Sequence, residues 1–243
     1  MTTSETSRRT RFPWALTIVS APALALLIGL GVWQVQRLQW KEGLMDRADA
    51  AAAMAPVPIA DLPSGPEREF RQVIIDCPGL ATAPYVELQS ILDGEAGVRL
   101  ISACPEPAAP GRPEVGVLLV DRGFVAETVT ARPPVTRDGP LVRLVAVVRT
   151  ASTPGLMALP PEGRHFYARD NAAMARTLGV TSLVGPETLY AVTSTNPDWP
   201  ALRPAVPPVA FANNHLGYAL TWFGLALALI GFYIALVRRK LKP

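Results

Sequence analysis

Histidine and cysteine are scarce in this sequence, which contains two of each among its 243 residues. A zinc site with three histidine ligands is therefore excluded. Neither cysteine belongs to a C-x-x-C pair, the hydrolase motif G-x-S-x-G does not occur, and no glycine-rich phosphate-binding loop is found. Because no recognisable arrangement for catalysis remains, we predict that the protein is not an enzyme.

Charged residues are also few, at 18% of the chain, and two long segments contain none. Residues 14–36 and 216–237 lack Asp, Glu, Lys and Arg. As helices these segments would each reach about 33 Å, at roughly 1.5 Å per residue, which crosses a bilayer core of about 30 Å. We predict two transmembrane helices at residues 14–36 and 213–237, surrounded by membrane lipid.

The first apolar run could also be a cleaved signal peptide, because basic residues precede it. The apolar core of a signal peptide is usually about 7–15 residues long and ends at a small-residue cleavage site. This run is longer and continues into a segment that contains Trp33 and Gln34. We therefore predict that the first helix is retained.

Basic residues beside the two spans predict the orientation of the chain. They are Arg8, Arg9 and Arg11 before the first span, and Arg238, Arg239, Lys240 and Lys242 after the second. Because basic flanks stay in the cytoplasm, we expect a cytoplasmic tail at residues 1–13, a periplasmic domain at 37–212 and a cytoplasmic basic tail at 238–243. The net charge of +3 lies mostly in these tails and gives no reason to expect nucleic acid binding.

The segment between the spans contains short strand patterns. Runs rich in Val, Ile and Leu predict strands at residues 70–75, 85–90, 98–102, 115–121 and 142–149, with a last strand at 190–195. One helix is expected from an N-cap at Asp170 to Gly179. Proline clusters at 105–113, 154–161 and 197–208 predict loops. The fold class is a membrane protein with two transmembrane helices and an α+β domain dominated by an antiparallel sheet or small barrel.

Two features of this domain allow more than one interpretation. Cys77 and Cys104 could form a disulfide in an oxidising compartment, or remain two buried thiols. The adjacent opposite charges Asp121-Arg122 and Arg169-Asp170 are interpreted as solvated or locally paired.

His215 lies at the start of the second span, directly after two asparagines that could cap the helix. A helix N-terminus disfavours positive charge, so it favours the neutral imidazole that can bind a haem iron. A polar residue that merely anchors the helix end is the alternative interpretation.

The second span has two different faces on a helical wheel of about 100° per residue. One face carries glycine every seven residues, at Gly217, Gly224 and Gly231. We expect this face to pack closely against Ala21, Ala25 and Gly29 of the first span. The opposite face carries His215, Tyr218, Trp222 and Tyr233.

The aromatic face would then be available to a planar ligand or a protein partner, although an interfacial aromatic belt explains Tyr218 and Trp222 almost as well. At the same depth, Trp33, Arg37 and Trp40 share one face of the first helix. Arg37 could bind a haem propionate with its forked donors. An arginine that snorkels between two interfacial tryptophans is the alternative.

Four segments resemble the signature motifs of the Surfeit locus protein 1 family. They are residues 31–41 at the end of the first span, 117–125 with Asp121-Arg122-Gly123-Phe124, 166–170 before the predicted helix, and 214–223 at the start of the second span. They occur in the family's order over nearly the whole chain. Asp121 stands where the family often has Asn, and Phe124 where it often has Trp.

The resemblance implies an assembly factor for haem-copper cytochrome c oxidase that binds haem a and helps to deliver it to the catalytic subunit, subunit I, alongside the haem a synthesis machinery. It implies His215 as axial ligand of the haem iron. From the helix faces described above, we expect Tyr218, Trp222 and Trp33 to line the haem and Arg37 to lie beside a propionate. The 13 residues before the first span leave no room for a mitochondrial presequence. A bacterial inner membrane is therefore expected. A scaffold that holds an oxidase intermediate without binding haem is the alternative.

Overall fold

A computed structural model of the chain describes residues 12–63, 65–105, 116–136, 138–182, 184–206 and 213–241. The predicted tails, except residues 12–13 and 238–241, lie outside the described residues, as do most of the proline cluster at 105–113 and the end of the cluster at 197–208. Two compact units are present. One contains the first helix as far as Asp46 together with the last helix, and the other begins at Arg47 and contains the sheet.

The chain has two long helices, α1 at Trp14–Ala52 and α3 at His215–Leu241, and the first unit contains α3 and all of α1 except its last six residues. Both are long and apolar enough to cross a membrane, as the uncharged runs predict. Helix α1 extends past the apolar run because residues 37–52 are mostly good helix formers. The last turn of α3 carries Arg238, Arg239 and Lys240, where positive charge complements the helix dipole.

The second unit is built on one eight-stranded mixed sheet. Its strands are β1 Val57–Pro58, β2 Gln72–Pro78, β3 Tyr85–Leu92, β4 Glu95–Pro105, β5 Val117–Ala126, β6 Leu141–Thr150, β7 His165–Phe166 and β8 Val184–Ala191, and a short helix, α2, spans Asn171–Thr177. The order across the sheet is β1-β2-β6-β8-β5-β4-β3-β7.

Antiparallel pairing joins β2 to β6, β6 to β8, β5 to β4 and β4 to β3. The pairs β1/β2, β3/β7 and β5/β8 are parallel. An α+β domain with a mainly antiparallel sheet is thereby confirmed. The small barrel is not confirmed, because among the described strands the edge strands β1 and β7 do not pair and the sheet stays open.

The sheet nevertheless curls around its main core. Cys77 of β2 and Cys104 of β4 form a disulfide with a Cα–Cα distance of 5.5 Å, and both are buried. Strands β6, β8 and β5 lie between these two strands in the sheet order. The disulfide therefore joins strands that are not neighbours, across a core that includes Ile75, Leu144 and Leu189.

Helix α2 covers the other face of the central strands. The Asp170 side chain accepts a hydrogen bond from the backbone N–H of Ala173 at 2.9 Å, as an N-cap does. Gly179, with φ 77°, follows the helix in the left-handed conformation that glycine tolerates. Met174 is buried against Phe166 and Leu119. The predicted helix and its two ends are confirmed.

Replacing Asp170 with alanine removes this cap and is expected to lower the free energy of unfolding by about 1 kcal/mol. Guanidinium unfolding of the full chain in detergent measures the change. Asp170→Asn keeps an acceptor oxygen and should behave nearly like the unsubstituted protein. Equal destabilisation by both substitutions would contradict the assignment of the cap.

Candidate functional site

Two hydrogen bonds between side chains connect α1 and α3. Thr17 Oγ1 and Tyr233 Oη are 2.8 Å apart, and Gln34 Oε1 and His215 Nδ1 are 2.6 Å apart. Along α1 the two bonds are about 26 Å apart at roughly 1.5 Å per residue. The helices therefore run antiparallel and are connected near both ends of the apolar segments. In a span with few polar groups, such bonds favour one arrangement of the helix pair.

The bond between Gln34 and His215 determines which imidazole nitrogen is free. Gln34 is only 9% exposed, and its carbonyl oxygen accepts the bond. Nδ1 of His215 therefore donates, and in the neutral ring the lone pair lies on Nε2. Helix α3 begins at His215, and the N–H of Tyr218 donates to the carbonyl of Asn214 at 3.2 Å. This arrangement presents a nitrogen that can coordinate a metal.

The prediction that the glycine face of α3 packs against α1 was wrong. A Cβ atom added at Gly217, Gly224 or Gly231 would meet no atom within 4 Å. The buried residues Ala219 and Ala226 instead lie on the face that carries His215 and Tyr233. Seven-residue spacing defines a face but not its partner. The polar groups of His215 and Tyr233 need partners in an apolar span, so their face turns toward α1. The expectation that this aromatic face is available to a ligand was therefore wrong at Tyr233 and at Nδ1 of His215.

Close approach of the helices depends on a different glycine, Gly31 of α1. A Cβ atom there would lie 2.6 Å from the Phe223 ring, whereas one at Gly29 would meet nothing within 4 Å. Ala21 does face α3, where it lines a small cavity of 170 Å³ together with Leu229 and Ile230. The helices therefore approach closely at a glycine, as expected, but this glycine lies on α1 and not on the glycine face of α3.

The remaining predicted site residues lie in the same parts of the two helices. Trp33 and Tyr218 are 53% and 56% exposed, and Trp222 is half-buried. The guanidinium carbon of Arg37 lies 4.0 Å from the centre of the Trp40 ring, a cation–π contact. Of these residues, His215 is the one whose position is fixed by a hydrogen bond to the other helix.

Gln34 is the site residue that the sequence did not single out. A signal was present, because it is one of two glutamines in an uncharged, mostly apolar segment and lies in the first of the four family motifs, residues 31–41. Spacing alone did not indicate which residue of α3 it contacts.

The sheet domain contains a second polar cluster, centred on Asp121, which is completely buried. Its Oδ2 accepts hydrogen bonds from Arg99 Nε at 2.7 Å and Arg169 Nη2 at 2.6 Å. The Tyr190 ring lies 5.6 Å and 5.0 Å from these two guanidinium carbons. Burial raises the pKa of the Tyr190 hydroxyl. The expectation that Asp121 is solvated or locally paired was wrong, because it is buried and its partners come from distant segments.

Arg122 is buried on a bulge of β5. The register of β4 against β5 shifts so that Leu100 is opposite Gly123 and Ile101 is opposite Asp121, and no residue of β4 lies directly opposite Arg122. Its Nη2 donates to the carbonyl of Ala81 at 2.7 Å. Burial lowers the pKa of Arg122 to about 10.

Gly123 and Phe124 follow Arg122 in the Asp121-Arg122-Gly123-Phe124 motif, and both have structural roles. Gly123 has φ 132°, and a Cβ atom there would collide with the carbonyl of Arg203. The N–H of Phe124 donates to the same carbonyl at 2.8 Å. The Arg-Gly-aromatic segment therefore fixes the end of β5 against the segment that follows β8.

Two candidate membrane-spanning helices flank a mixed-sheet domain in the sequence, and together they define the class of this chain as a membrane protein. The model of the SURF1 family matches residues 21–227. The chain belongs to the SURF1 family, as the four motifs predicted.

Similar proteins cover most of the chain. Surfeit locus protein 1 of Homo sapiens is 29% identical over 231 residues, which are 88% of this chain and 74% of that protein. Surfeit locus protein 1 of Takifugu rubripes is 26% identical over 248 residues, 94% of this chain and 98% of that protein. A SURF1-like protein of Drosophila melanogaster is 28% identical over 234 residues, 88% of this chain and 74% of that protein. The family is known for cytochrome c oxidase assembly, which implies an oxidase partner.

Proposed function

We propose that this protein binds haem a at the His215 end of the helix pair and helps to transfer it to the catalytic subunit, subunit I, of cytochrome c oxidase, receiving it from the haem a synthesis machinery. The observation that carries the proposal is the 2.6 Å bond between Gln34 and His215. It leaves Nε2 with a lone pair, as an axial ligand requires. We assign no catalytic step to the chain.

The surrounding residues have the chemistry that a haem needs. When bound, haem a would supply an iron that His215 could ligate through an imidazole nitrogen. Trp33 and Tyr218 expose aromatic surface that could cover a planar macrocycle, and Trp222 lies on the face of His215. Arg37, stacked on Trp40, has N–H donors that suit a propionate.

We further propose that the helices span a bacterial inner membrane, with both termini in the cytoplasm and the sheet domain in the periplasm. Arg238, Arg239 and Lys240 in the last turn of α3 support a cytoplasmic end. The disulfide between Cys77 and Cys104 supports an oxidising compartment for the domain.

A second candidate function is a scaffold that holds an oxidase intermediate without touching haem. The open glycine face of α3 favours it, because small residues allow another transmembrane helix to approach closely. Colourless protein that still co-purifies with oxidase subunits would support this alternative.

Replacing His215 with alanine is expected to remove most of the Soret band of protein purified from cells that make haem a, because the axial ligand is lost. The band is measured per mole of protein in detergent. His165→Ala is the matched control, since His165 is the other histidine of the chain and lies in β7. An unchanged Soret band in His215→Ala would refute the ligand assignment.

A further inference from the structure

We propose that Gln34 is a positioning residue for His215: its carbonyl oxygen holds the imidazole in the Nδ1–H tautomer and thereby selects Nε2 as the ligating atom. This inference rests on the proposed binding of haem. It concerns a residue of α1 that would not itself touch the iron.

The geometry gives the interaction three properties. The distance of 2.6 Å between Nδ1 and Oε1 is that of a close hydrogen bond. Gln34 is 9% exposed, so water competes little for its carbonyl. Residues 14–36 contain no charged side chain, so this segment of α1 offers the imidazole no carboxylate in place of the amide. The amide acceptor therefore determines the tautomer.

The same bond is expected to strengthen binding of the iron. A histidine that ligates a metal through one nitrogen usually donates its other N–H to a fixed acceptor, which orients the ring and raises its basicity. Losing such an acceptor typically costs about 10–100-fold in metal affinity. Because the bond also joins α1 to α3, occupation of the site would stabilise this end of the helix pair.

The tautomer can be measured without haem. In a His165→Gln background His215 is the only histidine, so its two ring nitrogens give isolated ¹⁵N signals. At about pH 9 an ordinary imidazole is neutral. We expect the full chain in detergent to show a protonated Nδ1 and an unprotonated Nε2. Gln34→Leu should shift the population toward the Nε2–H tautomer, whereas Gln34→Glu supplies a carboxylate oxygen as acceptor and should restore the Nδ1–H form.

Affinity is measured by titrating haem a into the same full-length proteins with histidine at position 165 intact. We expect Gln34→Leu to raise the Kd by about 10–100-fold. Thr17→Val is the matched control, because it removes the other bond between the helices, to Tyr233. If Gln34 acts only by pairing the helices, the two substitutions should weaken binding equally.

Three results would overturn the inference: an unchanged tautomer in Gln34→Leu, an unchanged Kd in Gln34→Leu, or equal losses in Gln34→Leu and Thr17→Val. If His215→Ala abolishes haem binding while Gln34→Leu binds normally, the inference fails and the proposed function stands. If His215→Ala binds as tightly as the unsubstituted protein, the proposed ligand is wrong and the role of Gln34 in ligation falls with it.

Discussion

Replacing Asp121 with alanine is expected to lower the free energy of unfolding of the sheet domain by about 3–5 kcal/mol. The carboxylate is completely buried and accepts hydrogen bonds from both Arg99 and Arg169. Without it two guanidinium groups remain in the interior with no carboxylate between them, and the desolvation of their charges is no longer compensated. Folded domains are usually stable by about 5–15 kcal/mol, so this loss is a large fraction of the total.

Hydrogen–deuterium exchange of peptides from β5 and β8 measures this effect in the full chain. Exchange should accelerate by at least about a hundred-fold, since 1.4 kcal/mol corresponds to a factor of ten. Asp76→Ala is the control, because Asp76 pairs with Arg143 at 2.7 Å on the surface, where an ion pair contributes little. Similar exchange in the two variants would contradict the assigned role of Asp121.

Replacing both Cys77 and Cys104 with alanine is expected to destabilise the domain by about 3.5 kcal/mol, from the loop-closure entropy of the unfolded chain. The two residues are separated by 27 positions in sequence and join β2 to β4 across the core. The disulfide therefore connects strands that no backbone hydrogen bonds join directly.

Guanidinium unfolding in detergent with and without reductant tests the disulfide. Reductant should lower the unfolding midpoint of the unsubstituted protein and leave that of the double variant unchanged. A double variant that unfolds at the same guanidinium concentration as the unsubstituted protein would show that the disulfide does not stabilise the fold.

Local structure could largely be predicted from the sequence because each signal lies within a few residues. The Asp170 cap and the Gly179 terminator of α2 are of this kind. The runs of Val, Ile and Leu likewise predicted β2 to β6 to within a few residues. The last strand was placed too late, since β8 begins at Val184 and includes Gly185 and Pro186, which normally weaken a strand prediction.

Contacts between distant segments could not be predicted in the same way. The partners of Asp121 are 22 and 48 residues away in sequence, so the charge pattern around it suggested local pairing instead. The parallel pairing of β5 with β8 brings Tyr190 beside Asp121, and no local pattern encodes that pairing.

At the candidate site, too, local structure could be predicted from the sequence, whereas the contacts between the two helices could not. The sequence predicted His215 in the first turn of its helix, where the structure places it, but it assigned the packed face of α3 to the glycines. Which face packs is decided by Gln34 and Thr17, the hydrogen-bond partners on α1. The candidate site is therefore an imidazole–amide pair between two helices, and its relation to haem stays a prediction.

The most direct test of haem binding is the absorption spectrum of the full-length protein purified from otherwise identical cells with haem a synthesis on and off. We expect a haem a Soret band only when haem a is made, and its loss in His215→Ala. Protein that is colourless under both conditions but still carries oxidase subunits would contradict haem binding.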